Sequence, residues 1–564
     1  MAVVVPLLKR RKPSTSLSSY RPVSLTFAAC KVIEKMALSR LEWIAAQLKY
    51  FAEKQSGFRH KRSTADSIAD VVTTLEDARG SGDVAMLLLL DVQSAFDRLP
   101  HEVIEAALDC MLRRHGMSPG LHFCLPGRPE LSCAGRQEVI SFLSGIGLSV
   151  PPPKTEALLV HPLASARQYV KHLRIANTTV PWKREVTCLG LTIDHRLSWI
   201  PAAKAVTYKV RRVQGAVSKM QQRGRGCTVK WALRMNQAAA TFILLYALPL
   251  VLLSPARKQQ LERLHRSSVR STLGLPKHSR IAATLAEADE WPLSLHMLQR
   301  ALGHIDRLHH APDGGALLCR LRSQPLSHRG GLCQLYEELI VQRPVPMVTS
   351  PPHEQPPEVH LFLNGASKRR TPAAALQQAA TGKLLEELDD RLLVFTDGSV
   401  LSNGSAAAAC TIPSEGRSKQ CRLPFRASST AAELAGLLLA EDLPTKPVAV
   451  LSDSRPALQA LSDHHRHGVT ETLLRAKISA LSAVGVAISF HWLPSHVGIA
   501  GNEEVDVLAK AAHNPTFPLT RAVAASDFSR QRLKQLLTSS HPDNRGVSLL
   551  VALDADLRGE PLQR

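Results

Sequence analysis

Four carboxylates in the last third of the chain have the residue types and the spacing of a metal site: Asp397, Glu433, Asp453 and Asp506. Each has an ordinary reading alone. Asp397 could form a turn. Glu433 follows Thr430 by three residues, the spacing of a capping box. Asp453 could cap the helix after it, and Asp506 could be a surface acid. Together these readings fail, because the surrounding pattern delivers all four acids to one place. Carboxylate oxygens in that number suit a pair of hard divalent cations. Another acid, Asp91, ends the leucine run of "LLLLDVQSAFDRLPH" (Leu87–His101), with Asp97 shortly after. Two-cation chemistry on phosphates requires further carboxylates opposite such an acid.

The elements that position the four acids are legible. "LLVFTDGSVLSNGSAAAAC" (Leu392–Cys410) reads as two antiparallel strands joined at Ser402-Asn403-Gly404. "SSTAAELAGLLLAEDL" (Ser428–Leu443) is a helix carrying Glu433. "PVAVLSDSRPALQAL" (Pro447–Leu461) is an apolar strand ending at Asp453, then a helix begun by Ser454 and Pro456. "VAISFHWLPSHVGIAGNEEVDVLAKAA" (Val486–Ala512) is a strand, a loop with His496, and a final helix. On that helix Val505, Leu508 and Ala509 form the buried face, and Asn502 and Asp506 share another side at i, i+4.

Composition bounds the rest. A chain of 564 residues should hold two to four domains. Its net charge of +22 points to a polyanion, most simply nucleic acid. The charge is uneven: residues 391–515 hold 11 basic and 11 acidic side chains, so the first 390 residues carry almost all of the excess. Ten cysteines without a C-x-x-C pair imply neither a disulfide framework nor a zinc finger. The opening MAVVVPLLKRRK is not a signal peptide, since its basic residues follow the apolar run. Lys9-Arg10-Arg11-Lys12 is a weak nuclear-import signal, and the compartment, nuclear or cytoplasmic, stays open. Ala238–Leu253 predicts a buried helix and no membrane span, because Pro249 interrupts it and basic segments flank it. His464, His465 and His467 read as a solvated loop. Residues 344–357 contain six prolines and predict a linker running to about 388.

The N-terminal third resembles the reverse transcriptase of non-LTR retrotransposons. "SYRPVSLTFAACKVIEKMALSRL" (Ser19–Leu41), "QSGFRHKRSTADSI" (Gln55–Ile68) and "LDVQSAFDRLPH" (Leu90–His101) carry the likeness. "GLSVPPPKTEALLVHP" (Gly147–Pro162) and "TCLGLTIDHRLSW" (Thr187–Trp199) continue it. The resemblance makes Asp91 the first metal-binding aspartate of the palm. The family's Asp-Asp hairpin and Gln-Gly template grip do not occur between Asp97 and Gly147, so a vestigial polymerase is expected. About Leu392–Ala512 closely resembles type 1 ribonuclease H, with TDGS, T-A-A-E-L, SDS and H-x-G-x-x-G-N-E-x-x-D in family order.

That second resemblance implies Asp397, Glu433, Asp453 and Asp506 as metal-binding acids and His496 as the proton-shuttling or product-releasing histidine. It implies two Mg2+ ions, replaceable by Mn2+, and hydrolysis of the RNA strand of an RNA–DNA hybrid. The chain around Asp397, Gly398 and Ser399, with Asn502, is the expected place for substrate contacts. The expected architecture is multidomain α/β. A truncated reverse transcriptase (1–200, fingers and partial palm) leads into a helical thumb-like region (201–343) and the linker (344–388). A ribonuclease H domain (389–515), with a five-stranded mixed sheet and flanking helices, and a tail (516–564) complete it. The competing expectation is a non-catalytic nucleic-acid-binding relic. No obligate protein partner is inferable.

Overall fold

The computed structural model describes residues 3–8, 13–16, 19–59, 62–92, 99–114, 143–146, 148, 150, 154–161, 163, 173–175, 178–221, 226–340, 346, 357–363, 371–440, 447–463, 468–520, 529, 533, 536 and 537. Asp97, the basic run Lys9–Lys12, the cluster His464, His465 and His467, and most of the proline-rich stretch and tail lie outside them.

The chain divides into two compact units. In the first, strands Val3–Leu8 and Tyr20–Leu25 form an antiparallel hairpin. Helix Ala28–Gln47 meets helix His101–Arg114, burying Ile44, Ala45 and Met111.

The second unit opens with helix Thr64–Ser81 and strand Ala85–Leu89, which pairs antiparallel with Glu156–Val160. A second hairpin follows, Glu185–Cys188 and Leu191–Asp194, turned at Leu189 and Gly190, both at positive φ. Helices then fill Ile200 to Leu339 around an apolar core. Ala238–Leu253 is not the single buried helix that its apolar run predicts. A π-helical stretch, Asn236–Thr241, passes to one α turn, Phe242–Leu245, and then to a 3-10 turn at Leu248–Leu250. Pro249 cannot donate an amide to a continuing helix. No helix of the described residues is long and apolar enough to cross a membrane. Leu533 and Leu537 of the tail are buried in this helical core.

The sheet of the domain that holds the four acids has six strands, not five. They are β1 (Glu358–His360), β2 (Leu392–Val400), β3 (Ser405–Ile412), β4 (Arg417–Arg426), β5 (Val448–Ser452) and β6 (Ile488–Trp492), in the order β1-β6-β5-β2-β3-β4. The first four in that order pair in parallel, and β3 pairs antiparallel with both β2 and β4. The additional strand comes from the stretch read as a linker. Its three residues, Glu-Val-His, show too short an alternation to register beside so many prolines. Helix α1 (Ala373–Gly382) also lies there, and Ala380 and Leu388 join the domain core. Helices α2 (Ser429–Leu439), α3 (Arg455–Ser462), α4 (Val469–Ala483) and α5 (Ala500–Ala511) complete it. Strand β5, VAVLS, is buried at every position, as a central parallel strand covered on both faces must be. Beyond α5, Leu519 bridges to Arg422 and prolongs the sheet edge.

Candidate active site

The parallel pairing of β2 and β5 ends at Thr396 and Ser452. Asp397 and Asp453 are the next residues, so the two strands deliver their aspartates side by side. The Trp492 indole donates to the Asp453 carbonyl (3.0 Å) and fixes its backbone. Asp453 does not cap α3; Ser454 does, accepting from the Ala457 amide. Likewise Thr430 is not the cap of α2. Ser428 accepts from the Ala431 amide, which leaves Glu433 free of capping duty, buried on the sheet side.

Glycines set the distance between α2 and β2. A methyl group at Gly398 would overlap the backbone of Ala432 and Glu433, and one at Gly436 would lie 2.9 Å from the Asp397 carbonyl oxygen. Oxygens of Asp397, Glu433 and Asp453 consequently lie within 4.8 Å of one another. Burial and the Asp453 and Asp506 charges push the Asp397 carboxyl up to about 6, against a smaller opposing pull from the Gly398 amide. Burial, then Asp397 and Asp453, raise Glu433 well above the carboxylate range. Its Oε2 is buried with no hydrogen-bond partner. Buried carboxylates that repel one another and leave an orphaned oxygen fit a cation-binding group.

Asp506 stands to one side. It pairs with Lys510 at 2.7 Å, yet its charge still reaches Asp397. It also forms a group with His496 and Glu503, again within 4.8 Å. His496 is open to solvent, has φ 55°, and places Nδ1 3.9 Å from Glu503 Oε2. The loop is tied by Gln377 of α1, whose side chain donates to the Gly498 carbonyl (3.2 Å). Helix α5 seats closely because Gly501 packs on the Phe395 ring.

Of the expected substrate contacts, Gly398 is enclosed under α2 and Asn502 is buried. The Ser399 hydroxyl shares a hydrogen bond with His513 (3.1 Å). Sequence reasoning missed Glu503, Lys510, Gln377 and His513. The i, i+4 spacing of Asp506 and Lys510 was a signal; Gln377 and His513 gave none, since both act across long sequence separations.

Asp91 has different company. The register Leu89 to Glu156 continues to set Asp91 opposite Lys154, and their charged groups meet at 3.3 Å. Among the described residues, no group of three metal-ligating side chains includes Asp91.

Residues 389–514 match the RNase H family, and residues 10–112 match reverse transcriptase (RNA-dependent DNA polymerase). The chain thus carries a segment that matches reverse transcriptase ahead of one that matches RNase H. The reverse-transcriptase segment is 30% identical over 102 residues to a probable RNA-directed DNA polymerase from transposon BS of Drosophila melanogaster. It is 33% identical over 100 residues to an RNA-directed DNA polymerase from mobile element jockey of the same fly, and 31% to its Drosophila funebris counterpart. Each match covers 18% of this chain and 11% of the relative.

Proposed function

We propose that the ribonuclease H domain hydrolyses the RNA strand of RNA–DNA hybrids. The observation that carries this is the convergence of Asp397, Glu433 and Asp453, with Asp506 close enough to raise Asp397. These four would hold two Mg2+ ions, or Mn2+ in their place. When bound, such ions supply activation of water and charge stabilisation at the departing 3′ oxygen. The chain's own residues do the rest. The two strand ends and the glycine-spaced helix hold the acids rigidly, so that the reacting phosphate meets a preorganised site. His496, exposed on a tied loop beside Asp506, is placed to move a proton or release product. The backbone around Gly398 and Ser399 is the proposed place where 2′-hydroxyls are read, with Asn502, buried on α5, in a supporting role. The basic N-terminal region adds affinity for the phosphate backbone.

We further propose that the reverse-transcriptase segment does not polymerise. Asp91 pairs with Lys154, and among the described residues it belongs to no group of converging metal ligands. Primer extension by the full chain should equal that of Asp91→Ala; extension lost in the variant would overturn this reading. For the hydrolase, the full chain with Mg2+ should cut RNA in a hybrid and spare single-stranded RNA and duplex DNA. Equal cutting of all three would oppose the assignment.

A further inference from the structure

In the helical region, far along the chain from the acids, a second polar cluster is buried. His265 lies on helix Pro255–Leu273, Glu290 follows helix Ile281–Glu287, and His296 sits in the first turn of helix Leu293–His310. Ligand atoms of the three lie within 4.8 Å of one another. His265 is 1% exposed and Glu290 3%.

Hydrogen bonding fixes what each atom can do. His265 Nε2 lies 3.2 Å from the Trp291 carbonyl and must donate to it. Its Nδ1 therefore carries a lone pair, and that atom is buried with no hydrogen-bond partner. A ligating histidine characteristically has this second contact, its far N–H donated to a backbone carbonyl. Glu290 Oε2 accepts from His296 Nε2 at 2.9 Å, while Oε1 is buried without a hydrogen-bond partner; His265, His296 and the Gln237 side chain all lie near the carboxylate. The Trp291 ring stacks on His296, 5.5 Å between centroids. Glu262 is already engaged, by the Ser294 amide and Arg266. A polar knot complete in itself would not strand both an imidazole lone pair and a carboxylate oxygen in the interior.

The geometry points to a divalent transition-metal site, Zn2+ by preference, formed by His265, Glu290 and His296. Two imidazoles and one carboxylate form a common zinc donor set, and water can complete four-coordination from the partly exposed His296 side. The cation would take the place of the proton between His296 and Glu290. Its effect is structural: it ties helix Pro255–Leu273 to the start of helix Leu293–His310 and is independent of the ribonuclease H acids.

The test uses the full chain, stripped with chelator and held in excess Mg2+ so that the oxygen-ligand site is occupied. Co2+ is then titrated as a spectroscopic probe. Four-coordinate Co2+ absorbs strongly in the visible, whereas octahedral oxygen-bound Co2+ absorbs weakly. One equivalent should give the strong band. Asp397→Asn should keep it. His296→Gln and Glu290→Gln, checked for folding by circular dichroism, should lose at least about 100-fold in affinity, since even changes to a ligand's supporting partner cost 10–100-fold. Zn2+ should raise the melting temperature of the wild type. A wild type with neither band nor melting shift would reduce the cluster to a hydrogen-bonded polar core. Unchanged affinity in both variants, or a thiolate charge-transfer band from the cysteines, would equally overturn the site.

Discussion

Gly398 lies so close under helix α2 that a side chain there would overlap the Glu433 amide nitrogen. The glycine of the TDGS motif thereby sets the separation of two acids on different elements. Gly398→Ala must lift the helix or bend the strand. It should cost about 1–3 kcal/mol, the usual range for overpacking, together with most of the cleavage activity. Gly382→Ala is the matched control, because a methyl group at Gly382 meets nothing within 4 Å. Urea midpoints of the two variants would show the difference; equal midpoints would mean that the close approach does not position Glu433.

Without metal, the acid cluster should make the protein less stable as pH rises. Asp397 sits at about 6 in the folded state against 3.8 for the free side chain, so the folded state holds its proton more tightly. The stability linked to that proton is fully present below about 4 and is lost as pH climbs through 6. The full difference corresponds to roughly 2–3 kcal/mol. Melting of the full chain in EDTA should therefore fall between pH 4.5 and 7, and Asp397→Asn should flatten that limb. A divalent cation should restore stability at pH 7. A metal-free profile unchanged by Asp397→Asn would contradict the repulsion inferred here.

Affinity and catalysis should separate along the chain. Residues 357–520 contain the whole six-stranded domain with 15 basic and 16 acidic side chains, while most of the positive charge precedes them. The full chain should bind a labelled hybrid with a steep loss on added salt, near −0.9 in log–log slope per phosphate contact on duplex DNA. The 357–520 fragment should show a much shallower slope. Equal slopes would make the basic region a passive remnant.

The acid set was legible because each acid terminates or sits within a strongly patterned element. Apolar strands announce Asp397 and Asp453, and Leu434 and Val505 mark the buried faces beside Glu433 and Asp506. What sequence could not show lay across distance. The edge strand Glu358–His360 has meaning only beside Ser489–His491, and Gln377 matters only because the His496 loop folds onto it. Pattern also misled at Ala238–Leu253, where continuous hydrophobicity concealed a change of helix type ending at Pro249.

Single-turnover cleavage of a labelled RNA–DNA hybrid in Mg2+, wild type against Asp397→Asn, tests the central claim most directly. The variant removes one ligand and one repelling charge, so the fold should persist or gain stability while the chemistry fails. The account predicts clear cleavage of the RNA strand by wild type and a loss of at least about 100-fold in the variant, on the scale of removing one preorganised stabilising group. Cleavage retained in Asp397→Asn, or absent from a folded, metal-loaded wild type, would contradict it.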